Sequence, residues 1–167
     1  NDAFNGVTGY YISTLASKIS RLADHIDNNA IHFPGYLYDF HELENRIRQF
    51  PEIKFIAHGP HFWNNISSDI NFKYTYQKGK FSDFGIIDHL LESYDNLYCD
   101  ISGTSGFSAL NRDTDRTKQF LDKHAGKVLF GTDNTRYDLL GYILSLNIDH
   151  KKLEMILFKN AESILES

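Results

Sequence analysis

Three short apolar runs in this sequence are each followed by a side chain that can bind a metal ion or move a proton. The predicted strands are residues 53–58, which end in His58, residues 96–101, which carry Asp100 near their end, and residues 127–130, which are followed by Gly131, Thr132 and Asp133. Imidazole nitrogens and carboxylate oxygens are the usual ligands of hydrolytic metal ions and the usual groups of general acid–base catalysis. The three runs therefore predict one polar site at the ends of three strands.

Each of these residues also has a structural interpretation. A histidine at a strand end often bonds a backbone carbonyl, and an aspartate after a strand often forms an Asx-turn or caps a helix. The spacing alone leaves both interpretations open for His58 and for Asp133.

The rest of the pattern supplies the elements that must position these residues. Apolar side chains recur at helical spacing in the segments that flank and separate the short runs. The predicted caps and stops are Pro51, Ser82 or Asp83, Asp113 or Thr114, Gly126 and Asp149. Alternating helices and strands predict an α/β fold with parallel strands and right-handed crossovers. This order fits either an open doubly wound sheet or part of a barrel, and in both the active residues follow the strands.

The composition argues against nucleic-acid and membrane partners. The formal net charge is −5, and the 17 lysines and arginines are scattered. No stretch approaches the roughly 20 apolar residues of a membrane helix, and no signal-peptide pattern is present. The single cysteine, Cys99, can form no internal disulfide, which fits a reducing compartment. We therefore expect a cytoplasmic protein whose partner is a small-molecule substrate.

Four motifs, taken in order, resemble the amidohydrolase-related family of the amidohydrolase superfamily. Residues 53–63 (IKFIAHGPHFW), which follow a Phe-Pro pair, resemble its sixth-strand motif. Residues 97–103 (LYCDISG) resemble its seventh strand and loop, and residues 128–133 (VLFGTD) resemble its eighth strand. Residues 156–165 (ILFKNAESIL) resemble its closing helix. Each motif alone is weak, but together they extend the resemblance over residues 34–167.

The resemblance implies the C-terminal part, about strands five to eight, of a (β/α)8 barrel with a divalent metal at its mouth. The expected ion is Zn²⁺, with Mn²⁺ as the alternative. Asp133 matches a metal ligand and proton-transfer group, and His58 matches a histidine that binds the metal or its activated water. His25 is the best match to the strand-five histidine ligand, with His32 as the fallback. Because the residues before His25 are polar, a solvated loop histidine is an equal interpretation.

One departure from the family pattern concerns the first strand. No two histidines here are separated by one residue, so the His-x-His pair of that strand is absent. A whole barrel needs about 250 residues, and half a barrel leaves open sheet edges. We therefore expect a single partial barrel domain over residues 1–167, completed by an N-terminal half or by a homo-oligomer.

Four further residues are predicted to contact substrate because they follow the strand ends: His61, Trp63, Asp100 and Ser102. Packing is the alternative for Trp63, and a loop-tying role is the alternative for Asp100 and Ser102. Cys99 is expected to be a small core residue. The remaining histidines on helices are expected to be solvated: His41, His89, His124 and His150.

The predicted function is that of a metal-dependent hydrolase or non-oxidative decarboxylase acting on a small organic molecule, with Asp133 and His58 as catalytic residues. The alternative is a degenerate, non-catalytic barrel fragment with a binding role only. A third interpretation, an open flavodoxin-like sheet, lacks the glycine-rich phosphate loop that such ligand-binding sheets often carry.

Overall fold

Three short parallel strands organise the part of the chain that the computed structural model describes, residues 39–71, 74, 76–133 and 137–166. The strands are β1 (Phe55–Ala57), β2 (Leu97–Asp100) and β3 (Val128–Leu129), and they pair in the order β1-β2-β3. Both pairings are parallel, with Ala57 opposite Cys99 and Cys99 opposite Val128. The predicted α/β class with parallel strands is confirmed, and all three carboxyl ends meet at one edge of the sheet.

Helices precede, connect and follow the strands. They are α1 (Phe40–Gln49), α2 (Pro60–Asn64), α3 (Ile86–Ser93), α4 (Gly103–Leu110), α5 (Thr114–Lys123), α6 (Leu139–Ser145), α7 (His150–Glu154) and α8 (Asn160–Leu165), and a π-helical segment, Met155–Lys159, joins the last two. The helices α2 and α4 are not among the elements that the sequence predicted. α2 is only five residues long and begins with a proline, a residue suited to the first turn of a helix. α4 has glycine and serine on its buried face, so it shows no apolar helical stripe.

The predicted helix caps are partly confirmed. Asp113 accepts a hydrogen bond from the Arg116 N–H, and Asp149 accepts from the N–H groups of the first turn of α7. The prediction that Ser82 or Asp83 caps α3 is wrong. Phe84 pairs with Ser67 in an isolated bridge, which keeps the chain extended, so α3 begins only after Gly85.

Helices cover one face of the sheet more completely than the other. Leu97, Cys99 and Val128 are completely buried and belong to the core that the helices cover. Ile56 and its strand partner Tyr98 lie on the other face, and Ile56 is 47% exposed. Alternation along the strands places Asp100 on this second face, and the same alternation continued past β1 places His58 there.

His124 is not solvated as the sequence predicted. It is buried at the end of α5, with Nε2 2.7 Å from the Asp88 Oδ1 on α3. Its ring also packs on Phe120, so the contact between the two helices covers it. Cys99 is confirmed as a core residue. Burial raises the pKa of its thiol far above the ordinary range, which makes it a poor nucleophile.

Asn160, part of the closing-helix motif, connects α8 to the sheet. Its buried Nδ2 donates to the carbonyls of Ala125 (2.7 Å) and Val128 (2.8 Å). We expect Asn160→Ala to lower the free energy of unfolding by about 2–3 kcal/mol, because two buried carbonyls lose their donor. Urea denaturation measures this loss, and Glu162→Ala, an exposed change on the same helix, is the control. Equal midpoints for the two variants would contradict the role of Asn160.

Candidate metal and proton-transfer site

His58 lies between two carboxylates at the carboxyl edge of the sheet. Its Nδ1 is 3.5 Å from the Asp100 Oδ2, and its Nε2 is 3.6 Å from the Asp133 Oδ2. The side chains of His58 and Asp100 are about one-third exposed, whereas that of Asp133 is 60% exposed. The site therefore opens to solvent on the Asp133 side and is closed behind His58.

Asp100 is held at both its side chain and its backbone. Its Oδ1 accepts a hydrogen bond of 2.6 Å from the Ser102 N–H. Its carbonyl oxygen accepts one of 2.9 Å from the indole N–H of Trp63, which is completely buried against Phe62 and Phe120. The core thus fixes the end of β2, and Oδ2 of Asp100 is left facing His58.

The chain also makes room for Asp133. Asp133 has a positive φ of 39°, a conformation that aspartate tolerates better than most residues. Gly103, at the start of α4, has a φ of 70°, and a Cβ there would lie 2.8 Å from the Asp133 Oδ2. A side chain at position 103 would displace this carboxylate, so the glycine belongs to the site.

The electrostatics favour a charged His58 ring in the metal-free protein. The Asp100 carboxylate raises the pKa of His58 most, and the charge of Asp133 adds to it, while burial acts in the opposite direction. Burial acts to raise the pKa of Asp100, but the His58 ring and the Ser102 N–H lower it by more. The two groups stabilise each other in their charged forms.

The interaction between His58 and Asp100 is predicted to stabilise the fold only within a limited pH range. The raised pKa of His58 means that its contribution to stability is complete below about pH 6.5 and is lost as the pH rises through its folded pKa. The lowered pKa of Asp100 means that its contribution is present above about pH 4 and is lost as the pH falls through its folded pKa. We expect Asp100→Asn to lower the pKa of His58 more than Asp133→Asn does, as measured by NMR titration of the ring. The reverse order would contradict this electrostatic account.

The structure brings together His58, Asp100, Asp133 and the Ser102 backbone, but it spreads out the other predicted site residues. His61 lies on α2, half-buried, and desolvation lowers its pKa. The ring of Trp63 has no exposed surface, packs on Phe62 and Phe120, and donates a hydrogen bond to the Asp100 carbonyl. His25 and His32 lie outside the described residues. The role of Gly103 beside Asp133 was not predicted. Its one signal in the sequence is a glycine that directly follows Ser102, just after the end of β2.

The donor atoms fit part of a metal centre. Two ligands bound to one tetrahedral zinc ion lie about 3.4 Å apart, which is close to the 3.6 Å between the His58 Nε2 and the Asp133 Oδ2. Among the described residues, no group of three or more His, Cys, Asp or Glu is arranged to hold a metal ion. A catalytic zinc takes three protein ligands, and the described part of the chain offers two donors at this position.

A cleft of about 460 Å³ lies elsewhere, lined in part by Arg48, Lys54, Tyr94 and Asn96. These residues precede β1 and β2 or end α1 and α3. The cleft therefore lies at the amino edge of the sheet, away from His58. In (β/α) barrels this edge contributes to stability, and active sites lie at the opposite, carboxyl edge.

Compared with protein-family models, curated proteins and solved structures, the chain has no match. Of the helices in the described ranges, none has both the length and the apolar character to span a bilayer.

Proposed function

We propose that the chain is the C-terminal part of an amidohydrolase-like (β/α)8 barrel, and that the protein is a metal-dependent hydrolase or non-oxidative decarboxylase of small organic molecules. The observation that carries this proposal is the pair formed by His58 and Asp133. Their Nε2 and Oδ2 atoms lie 3.6 Å apart at the carboxyl edge of a parallel sheet. Two residues 75 positions apart in the sequence thus lie side by side on the solvent side of one site.

The strand order is compatible with a barrel, and three consecutive neighbours also occur within one half of a doubly wound sheet. Consecutive strands are neighbours, in the order β1-β2-β3, and no reversal occurs among the described strands. A doubly wound sheet binds its ligand where the strand order reverses, whereas a barrel continues in one direction. The half-exposed Ile56 and its partner Tyr98 would then point into the barrel interior, below His58 at the mouth.

The residues of the site have separate roles in this proposal. The Nε2 of His58 and the carboxylate of Asp133 would hold the metal ion, with His25, or else His32, as the further ligand. A bound Zn²⁺ would lower the pKa of water toward about 7 and polarise a substrate carbonyl or carboxylate. Asp133 is more exposed than His58 and Asp100, and its carboxylate would accept or donate a proton. Gly103 would keep that carboxylate in place.

Metal content tests this proposal. The full chain is exposed to Zn²⁺ or Mn²⁺, exchanged into metal-free buffer and measured by elemental analysis. We expect close to one metal ion per chain in the wild type and little in His58→Ala and Asp133→Asn. His150→Ala, which removes an exposed histidine far along the chain, is the control and should keep the ion. A wild type without metal, or variants that retain it, would contradict the proposal.

The alternative is a non-catalytic barrel fragment with a binding role. It is favoured by the presence of only two suitable donors at the site among the described residues. The partly exposed Ile56 face is also what an incomplete barrel would present to an N-terminal half or to a second copy. A metal-free wild type would support this alternative, and size-exclusion chromatography would show whether the chain forms a homo-oligomer.

A further inference from the structure

We propose that Asp100 is a positioning residue: its carboxylate holds the His58 ring with the hydrogen on Nδ1, which leaves the lone pair of Nε2 facing Asp133. The inference deepens the proposed function and rests on it for its consequence in metal binding. It assigns Asp100 a role that acts through His58 instead of the direct substrate contact that its sequence position suggested.

The surroundings of the two ring nitrogens carry the argument. A neutral imidazole has one N–H donor and one lone-pair acceptor. The Nδ1 atom is buried and has no hydrogen-bond partner among the described residues, and the Asp100 Oδ2 lies 3.5 Å away. A hydrogen on Nδ1 is attracted to this carboxylate, whereas a lone pair there would face a negative charge at an atom that is buried from water.

Asp133 faces Nε2 at a similar distance, so the two carboxylates compete for the ring hydrogen. The two carboxylates differ in their exposure to solvent. The Asp133 side chain is 60% exposed, and water screens its charge, whereas the Asp100 side chain is only 29% exposed. Water can donate to a lone pair on the open Nε2 side but not to one on the buried Nδ1. The hydrogen therefore belongs on Nδ1.

Asp100 is also rigid enough for this role. The Ser102 N–H occupies Oδ1, and the Trp63 indole N–H occupies the backbone carbonyl. Only Oδ2 faces the ring. A fixed carboxylate beside the far nitrogen of a histidine is the usual means by which proteins orient a metal-binding imidazole, and the Asp100 Oδ2 lies 3.5 Å from the His58 Nδ1.

Nitrogen NMR of the metal-free full chain tests the proposal at a pH where the His58 ring is neutral. His58→Gln identifies the signal. Asp100→Asn and Asp133→Asn form a matched pair, because each removes one negative charge from one side of the same ring. We expect a protonated Nδ1 and an unprotonated Nε2 in the wild type and in Asp133→Asn. In Asp100→Asn we expect a reduced fraction of that tautomer.

Three results would overturn the proposal: a wild-type ring protonated on Nε2, an unchanged tautomer in Asp100→Asn, or an equal shift in both variants. The wild-type spectrum alone can refute it, so the test does not depend on the stability of a variant. A second readout is zinc affinity by calorimetry, where Asp100→Asn is expected to raise Kd roughly 10- to 100-fold. A wild type that binds no zinc but has its hydrogen on Nδ1 would contradict the metal-dependent function and still support the role of Asp100.

Discussion

Asp133→Asn is expected to lower metal-dependent turnover by roughly two to four orders of magnitude, the contribution of a positioned general acid or base. The amide has nearly the shape of the carboxylate, so it fits beside Gly103 in the same space. It cannot accept the proton at Oδ, and its neutral oxygen is a weaker ligand for a divalent cation. The same substitution removes the negative charge 3.6 Å from the His58 Nε2.

The measurement compares wild type and variant in the same buffer with added Zn²⁺ on a panel of small amides, lactones and carboxylic acids, following hydrolysis or release of CO₂. Asp95→Asn is the control, because it makes the same chemical change at a fully exposed aspartate before β2, at the opposite edge of the sheet. It should keep wild-type turnover. A zinc-loaded wild type that turns over no member of the panel, or an Asp133→Asn variant as active as the control, would contradict the assignment.

The strands could be predicted to within about two residues because each is a short apolar run between helix signals. The predicted strand at 53–58 is observed as Phe55–Ala57, and that at 96–101 as Leu97–Asp100. The helix α4 could not be predicted in this way. Its buried face consists of small residues such as Gly103, Ser105 and Gly106, which leave no apolar periodicity although they allow close packing.

The composition of the site was more predictable than its geometry. Residue type and motif order singled out His58 and Asp133, and the structure places them side by side. The position of Asp100 behind His58 depends on strand register. Ala57 pairs with Cys99, so the next residue on each strand, His58 and Asp100, become neighbours on one face. A shift of one residue would send them to opposite faces, and nothing in the sequence of one strand specifies its register with another.

The burial of His124 shows the same limit for packing. Lys123 precedes it and α5 ends there, so the local pattern alone suggested a solvated ring. The His124 ring is buried because it contacts Asp88, 36 residues earlier on α3, where α3 and α5 pack together. Contacts of this kind are set by the tertiary fold and override what a local pattern indicates.

Trp63→Ala is expected to cause the largest loss of stability, about 3–5 kcal/mol, as for other fully buried aromatic residues replaced by alanine. The side chain is completely buried, with its ring edge-on to Phe62 at 5.6 Å and to Phe120 at 6.1 Å between centroids. The substitution leaves a cavity between α2 and α5. It also leaves the Asp100 carbonyl without its donor.

Urea denaturation measures the loss, and Trp63→Phe separates its two sources. Phenylalanine restores most of the packing but not the indole N–H, so it should lose about 1–3 kcal/mol, the range for an unsatisfied buried carbonyl together with a small cavity. Phe158→Ala, which removes a half-exposed aromatic ring, is the control and should lose less than about 1 kcal/mol. Domains of this size have about 5–15 kcal/mol in total, so a Trp63→Ala variant with the stability of the control would contradict the placement of this ring in the core.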